Sequence, residues 1–380
     1  MKQLRAAIAG SALLAGLVLV PAAGAQASGV DLRDGAVLVQ LNDGAANSIE
    51  AFARADDGSL SPVGVFGTGG AGGKEVGAPV DALASQSSLA WADDRSTVIA
   101  VNAGSGSVSS LAVHASGLAL TSVVPSRGSF PSSVAVHGSL VFVLNAGGEG
   151  GVSGYRLDDG VLRPIPGAVR SLGLHNAAVP AFLTAPAQVG LSPDGRTLVV
   201  TTKANNTIVA FPVRGDGTLG DAKVTASAGP VPFSFVFDPR GNLEVQQAGD
   251  GRNVSYAVRK DSSLVQIGAS APSGGAALCW SVRVGSYLFG ANAGSGTLTS
   301  WRLDRDGTST LSHPVAATTA GGVIDLAAGD EGRFVYALNA VHGTVDVLAN
   351  DGRGGLTHVS QATGLPVIDA DGGPEGIVAS

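Results

Sequence analysis

The stretch VNAGSGSVSSL, Val101 to Leu111, returns almost unchanged as ANAGSGTLTSW, Ala291 to Trp301. In both, an apolar run ends at an Asn, the four small residues Ala-Gly-Ser-Gly follow, and polar and apolar residues then alternate. Two alternating runs joined by a few turn-forming residues read as a β-hairpin. Aligned on the Asn, five further hairpins emerge: LVQLNDGAANSIEAF (Asn42), FVLNAGGEGGVSGY (Asn145), VVTTKANNTIVAF (Thr202), EVQQAGDGRNVSYAV (Gln247) and YALNAVHGTVDVL (Asn339). The second run often leads into an Asp-Gly turn: DDGSL at 56–60, DDGVL at 158–162, GDGTL at 215–219. A hairpin recurring every 45 to 55 residues or so marks a repeat architecture.

A second anchor precedes every hairpin but the first. It is clearest in PAQVGLS from Pro186, PFSFVFD from Pro232 and PSSVAVH from Pro131, and looser in ALCWSVR from Ala277 and VIDLAAG from Val323. Blade two offers two candidates, PVDALAS from Pro79 and QSSLAWA from Gln86, and the spacing to Asn102 favours Gln86. The last residues, PEGIVAS from Pro374, match the anchor with no hairpin after them, whereas the first hairpin has no anchor before it. The C-terminal strand is therefore expected to complete the first unit, which closes an array into a ring without free edges. The expected fold is all-β: a single seven-bladed β-propeller of four-stranded blades. The anchor strand is innermost and the Asn strand second. The starts of the inner strands and the Asn turns then share one face, over the mouth of a central channel.

Composition agrees. Gly accounts for 56 of 380 residues and charged residues for only 14%; helix formers are scarce and turn formers abundant. A net charge of −7 without a basic run argues against nucleic acid as partner. Lys2 and Arg5, the apolar run Ala7 to Val20 and the small-residue site Ala25-Gln26-Ala27 read as a signal peptide over 1–27, with the propeller over 28–380. A secreted, extracellular monomer with no membrane contact after cleavage is expected. Cys279 stands alone, which rules out an intrachain disulfide.

The run LSPDGRTLVVTTKANNTIVAFPVRGDGTL (191–219), with LFGANAGSGTLTSWRLDRDG and YALNAVHGTVDVL, resembles the seven-bladed β-propeller lactonase family. That family includes 6-phosphogluconolactonases and carboxymuconate cyclase; YVTN-type propellers share its repeats. The resemblance implies a hydrolase or cycloisomerase of a small lactone, acting without metal or other cofactor. Family enzymes carry Pro-His at the start of an inner strand, with Arg and Glu around the channel; here that stretch is Pro186-Ala187-Gln188. The alternative is a non-catalytic propeller that binds an extracellular ligand, wall polymer or protein through the same face.

The third anchor position contributes one residue per blade: Ser88, Ser133, Gln188, Ser234, Cys279, Asp325 and Gly376. Opening a lactone needs a base for water and donors for the oxyanion. Asp325 is the one carboxylate of this ring and the expected base. His175, on the insertion RSLGLHNAAVPAFL (170–183), is a second catalytic candidate. Gln188, Ser133, Ser88, Ser234 and Cys279 are expected to line the ligand site. Lys203 and Arg252, in the turns of blades four and five, could hold a carboxylate or phosphate. No His or carboxylate spacing indicates a metal site. The segment GTGGAGGKEVG (67–77) has no Gly-Lys-Ser/Thr ending and reads as a flexible loop.

Overall fold

Each Asn-terminated run forms the second strand of a four-stranded antiparallel sheet, and seven such sheets follow one another along the chain. The computed structural model describes residues 31–380; the signal peptide expected at residues 1–27 lies outside the described residues. Blade 2 comprises Leu89–Trp91, Thr97–Asn102, Ser107–His114 and Gly117–Pro125, and blade 4 comprises Pro186–Leu191, Thr197–Thr202, Thr207–Pro212 and Lys223–Ala226. Every innermost strand packs against that of the next blade, and the last packs against the first, so the sheets form a ring. The C-terminal strand Ile377–Ala379 closes it, pairing with Ala36–Gln40 of blade 1 in the register Val37↔Ala379, Leu38↔Val378, Val39↔Ile377. The Ala36 N–H donates to Ser380 Oγ at 2.7 Å, which fixes the last residue.

The period of two along each strand sets the packing. Middle strands such as Thr97–Asn102 and Phe334–Asn339 are buried on both faces because a blade lies on either side. Trp301, Tyr155, Tyr256 and Tyr336 fill the space between blades and are almost wholly buried. In the inner strands the ladder slips just after the anchor begins, at Pro131/Ser133, Pro186/Gln188, Leu278/Trp280 and Val323/Asp325. Such a bulge re-aims the following side chain, which is why Ser133, Gln188 and Asp325 face the neighbouring blade, whereas in blade 6 the bulged residue is Cys279 itself and Trp280 follows it. Four residues beside these anchors, Ser87, Phe130, Val231 and Ala277, have φ of 66°, 55°, 57° and 56°. A positive φ at the β-branched Val231 is strained and is held by tertiary bonds: Val231 donates to Asn206 Oδ1 at 2.7 Å and its carbonyl accepts from Ala248 N–H at 2.9 Å.

The recurring Asn is structural. Asn102 Nδ2 donates to Ser107 Oγ and Ser109 Oγ at 3.1 and 2.8 Å, while its Oδ1 accepts from Asn47 Nδ2 and Thr68 Oγ1 at 2.9 and 2.7 Å. Asn292 repeats the first half, donating to Thr297 Oγ1 and Thr299 Oγ1 at 3.2 and 2.9 Å. The amide thus ties the end of one strand to the start of the next and to the preceding blade.

Candidate active site beneath a lid at the channel mouth

The face that carries the Asn turns is covered by the chain's own connections. The segment 68–88, between blades 1 and 2, lies flat on the turns. A Cβ on Gly70 would sit 2.4 Å from Asn102 Cγ, and one on Gly72 would sit 2.2 Å from the Asn42 carbonyl oxygen. Asn42 holds Gly73 through both its amide atoms, at 2.8 and 3.0 Å. Lys74 Nζ donates to the Asp369 carbonyl of the connection that leads to the closing strand. Val76 donates to the Pro180 carbonyl at 2.9 Å and accepts from Phe182 N–H, so the lid joins the blade 3–4 insertion. The expected flexible loop at 67–77 is instead an ordered lid.

Beyond the lid, the same segment turns into the axis. Ser85 Oγ donates to the Ser132 carbonyl of blade 3, and the Gln86 N–H donates to the Ala187 carbonyl of blade 4. The Gln86 side chain exchanges two bonds with the Ser281 backbone of blade 6, and Trp280 Nε1 donates to the Ser85 carbonyl at 2.9 Å. A segment bonded to blades 3, 4 and 6 at once fills the channel mouth. Ser87, with its positive φ, then delivers the chain to the short inner strand Leu89–Trp91.

The ring of third anchor residues is present, and its side chains are engaged between blades. Ser133 Oγ donates to the Gln86 carbonyl and accepts from Val189 N–H. Gln188 pairs with the Phe235 backbone through both amide atoms, and Ser234 Oγ meets Ser281 Oγ at 2.9 Å. Asp325 accepts from Leu326 N–H at 2.8 Å and from Ile377 N–H of the closing strand at 3.2 Å. Burial drives its carboxyl well above the ordinary range. Ser88 is buried against Gly376. Cys279 is buried and its thiol is pushed up to about 12, first by burial and then by Asp81; it is not a thiolate nucleophile at neutral pH.

Of the basic candidates, only Lys203 reaches the axis. It is 3% exposed, not solvated as a turn charge would be. Its Nζ donates to the Ala84 carbonyl at 2.6 Å, lies 3.9 Å from Glu75 Oε2 and stands 5.3 Å from the centre of the Phe233 ring. Phe233 in turn meets Trp280 edge-on at 5.1 Å. Desolvation lowers the Lys203 pKa, opposed by Glu75, Asp81, Cys279 and Glu375. His175 instead sits exposed on the insertion, its Nδ1 2.8 Å from Glu149 Oε1. Arg252 is partly exposed, 3.7 Å from Asp250 and bonded to Ser270 Oγ. These two do not join the Lys203 cluster.

Three further acids surround Lys203: Glu75 and Asp81 on the lid segment, and Glu375 in the last anchor, before the closing strand. All three are at most 3% exposed. Among the described residues neither oxygen of Glu75 has a hydrogen-bond partner. Burial holds its carboxyl well above the usual range, with Lys203 opposing and Asp81 adding. An unbonded carboxylate beside an ammonium with donors to spare is suited to hold and deprotonate a small hydroxylic molecule. At the edge of the lid lies an open pocket of about 480 Å³, lined by Asp43, Asp369, Asp371 and Gly72 among others. Among the described residues no group of three or more His, Cys, Asp or Glu is placed to hold a metal ion.

These features define a seven-bladed β-propeller with a cluster of buried carboxyls around Lys203 where the lid segment enters the axis. The resemblance seen in the sequence holds: residues 167–246, which include Gln188 and Lys203, match the model of the lactonase family of seven-bladed β-propellers. Among solved structures, the chain is similar to a periplasmic gluconolactonase of Pseudomonas aeruginosa, with 21% identity and a TM-score of 0.68 over 90% of this chain and 98% of that one. It is also similar to a Bacteroides uniformis protein assigned as a 6-phosphogluconolactonase (20% identity, TM-score 0.66, 88% and 98% covered). A Lactobacillus plantarum protein gives 17% identity and a TM-score of 0.69, with 91% and 99% covered. At these identities the likeness is one of fold. No curated protein matches the chain.

Proposed function

We propose that this protein hydrolyses a small lactone in the chamber beneath the lid, with Glu75 as general base and Lys203 as the charge that receives the oxyanion. The observation that carries the reading is the pair itself: a buried carboxylate without a hydrogen-bond partner, 3.9 Å from a buried ammonium. Water adds to the acyl carbon as Glu75 takes its proton, and the resulting oxyanion faces Lys203. The ring C–O bond then breaks, Glu75 returns the proton to the departing ring oxygen, and a hydroxy acid is released. The lid opens by releasing its contacts at Lys74 and Val76. The carboxyls of the chamber and of the neighbouring pocket favour an uncharged lactone over an anionic one. With the leader expected at 1–27, the reaction is placed outside the cytoplasm.

A second reading, a propeller that binds without catalysis, is favoured by the closure of the chamber: Glu75, Asp81, Lys203, Asp325 and Glu375 are all at most 3% exposed. A panel of γ- and δ-lactones, assayed on protein lacking residues 1–27, decides between them. Hydrolysis should fall by about a hundredfold or more in Glu75→Gln, the scale of a lost general base. In the wild type the rate should rise with pH above the ordinary Glu range as Glu75 ionises. Asp325→Asn should alter stability more than turnover. Failure of the whole panel, or a Glu75→Gln variant as active as wild type, would overturn the hydrolase reading.

A further inference from the structure

The axial segment owes its shape to two acids that take no direct part in the proposed reaction. Asp81 accepts from the amides of Leu83, Ala84 and Ser85 at 3.0, 2.7 and 3.1 Å. Glu375 accepts from the same Leu83 amide at 2.9 Å. One N–H therefore lies between oxygens of both side chains, which holds the two carboxyls side by side. Two carboxylates in contact in a dry interior cannot both be charged, so the contact needs a proton held between them.

We propose that Asp81 and Glu375 form a proton-sharing pair that positions Lys203, by fixing the Ala84 turn whose carbonyl oxygen receives the Lys203 ammonium. The proposal rests on the reading of the chamber as the lactone site. Ala84 has a φ of 43°, a left-handed conformation that a non-Gly residue keeps only when its surroundings enforce it. Asp81 supplies that constraint from within the loop, and Glu375 supplies it from the connection that closes the ring. The Ala84 carbonyl then lies 2.6 Å from Lys203 Nζ, and the next carbonyl, Ser85, receives Trp280 Nε1. Loss of the shared proton sets two negative charges against each other across Leu83, the turn loosens, and the ammonium loses the acceptor that aims it.

The groups facing the pair favour the protonated form on balance. Glu75 on the lid, Asp325 on the inner strand of blade 7 and Cys279 on that of blade 6 add no positive charge, and Lys203 is the one cation among them. Burial is the leading cause that raises Glu375 well above the ordinary range, and the Asp81 charge adds to it. A carboxyl raised on folding stabilises the fold below its unfolded pKa. That stability is lost as pH climbs through the folded one.

Glu375→Gln tests the pair, because the amide supplies a permanent donor where the shared proton stood. Thermal unfolding and lactone kcat and KM are measured over about pH 5 to 9, where the linkage acts. In Glu375→Gln the alkaline loss of melting temperature should shrink. The alkaline fall in kcat should also move or vanish, with KM unchanged. Asp81→Ala, which removes the cap, should lower kcat about tenfold or more at every pH, the scale of a misplaced catalytic group. A Glu375→Gln variant whose melting temperature and kcat follow the wild-type pH dependence would overturn the proposal. If the wild type hydrolyses no lactone, the hydrolase reading fails and the pair is judged by the ¹⁵N NMR signal of the Lys203 ε-ammonium. That signal should be lost at alkaline pH in the wild type and retained in Glu375→Gln; identical behaviour in both overturns the pairing.

Discussion

Replacing Glu244 by Gln should stabilise the protein at pH 8 by about 3 kcal/mol and leave it almost unchanged at pH 4. Glu244 lies on the second strand of blade 5, Leu243–Gln247, and is 1% exposed. Its Oε2 accepts from Asn253 Nδ2 at 2.6 Å and Ser255 Oγ at 2.8 Å, and Asn253 also donates to Ser309 Oγ of blade 6 at 2.8 Å. Burial raises its pKa from 4.5 to about 7, against the hydrogen bonds from Asn253 and Ser255 and with a contribution from the Asp238 charge. Each unit is worth about 1.4 kcal/mol, so the folded state forfeits about 3 kcal/mol as pH rises from the ordinary Glu range through 7, after which the loss is constant. Gln has the same shape and no proton to lose, so the variant escapes the loss. The other buried acids, Glu75, Asp325 and Glu375, titrate in both proteins and cancel in the comparison. Urea unfolding of both at pH 4 and pH 8 measures the difference, which corresponds to a rise of roughly 4 °C in melting temperature at pH 8 for a chain of this length. A variant that tracks the wild type at both pH values would refute the argument that burial, not the hydrogen bonds, controls this carboxyl.

Two further substitutions probe the repeat and the ring. Asn102→Ala should cost about 2 kcal/mol, because it removes an acceptor from Asn47 Nδ2 and Thr68 Oγ1, which keep only the Val101 and Asn47 carbonyls, and a donor from Ser107 and Ser109. Asn292→Ala should cost only about 1 kcal/mol, since Asn292 Oδ1 has no partner to lose. Denaturant midpoints compare the two, and equal costs would count against the network. Deleting Ile377–Ser380 leaves the Ala36–Gln40 strand as an open apolar edge and removes the Ser380 contact to Ala36. Size-exclusion chromatography should show the truncated protein shifted to aggregates relative to the intact one, and a truncated protein with the same elution and melting curve as the intact one would show that closure is dispensable.

The fold was legible because its instructions recur. Period-two runs, Asn turns and Asp-Gly turns repeat in register, and the unpaired anchor at Pro374 announced the closing strand that pairs with Ala36–Gln40. The third anchor position was legible for the same reason, but not the bulge that turns Ser133, Gln188 and Asp325 toward the next blade. What they do there was not legible. Whether Asp325 meets solvent or the Ile377 amide depends on what lies across the channel, and alternation along one strand carries no such information. Lys203 illustrates the same limit. Its position in a turn gave the face of the ring correctly, but its burial follows from a lid that belongs to another blade.

Glu75 escaped because it occupies a connection, where the repeat is silent, and Glu375 because it is the second residue of its anchor and not the third. One signal was nevertheless present. Between the first hairpin and the inner strand of blade 2 the chain offers two anchors where one is needed, and only QSSLAWA leads into the strand Leu89–Trp91. The surplus copy, PVDALAS, is the segment that fills the axis. Its third residue is Asp81, an acid at the position that Asp325 occupies in blade 7. A stretch that imitates an inner strand, in a ring already supplied with seven, has no sheet left to join. It has apolar residues to bury and a polar residue aimed as in the true anchors, and the channel mouth is where both requirements can be met. Ala82 and Leu83 are fully buried there, and Asp81 turns back on its own amides and on Glu375. The redundancy that complicated the count of strands is thus what seals the channel and brings the buried acids to Lys203.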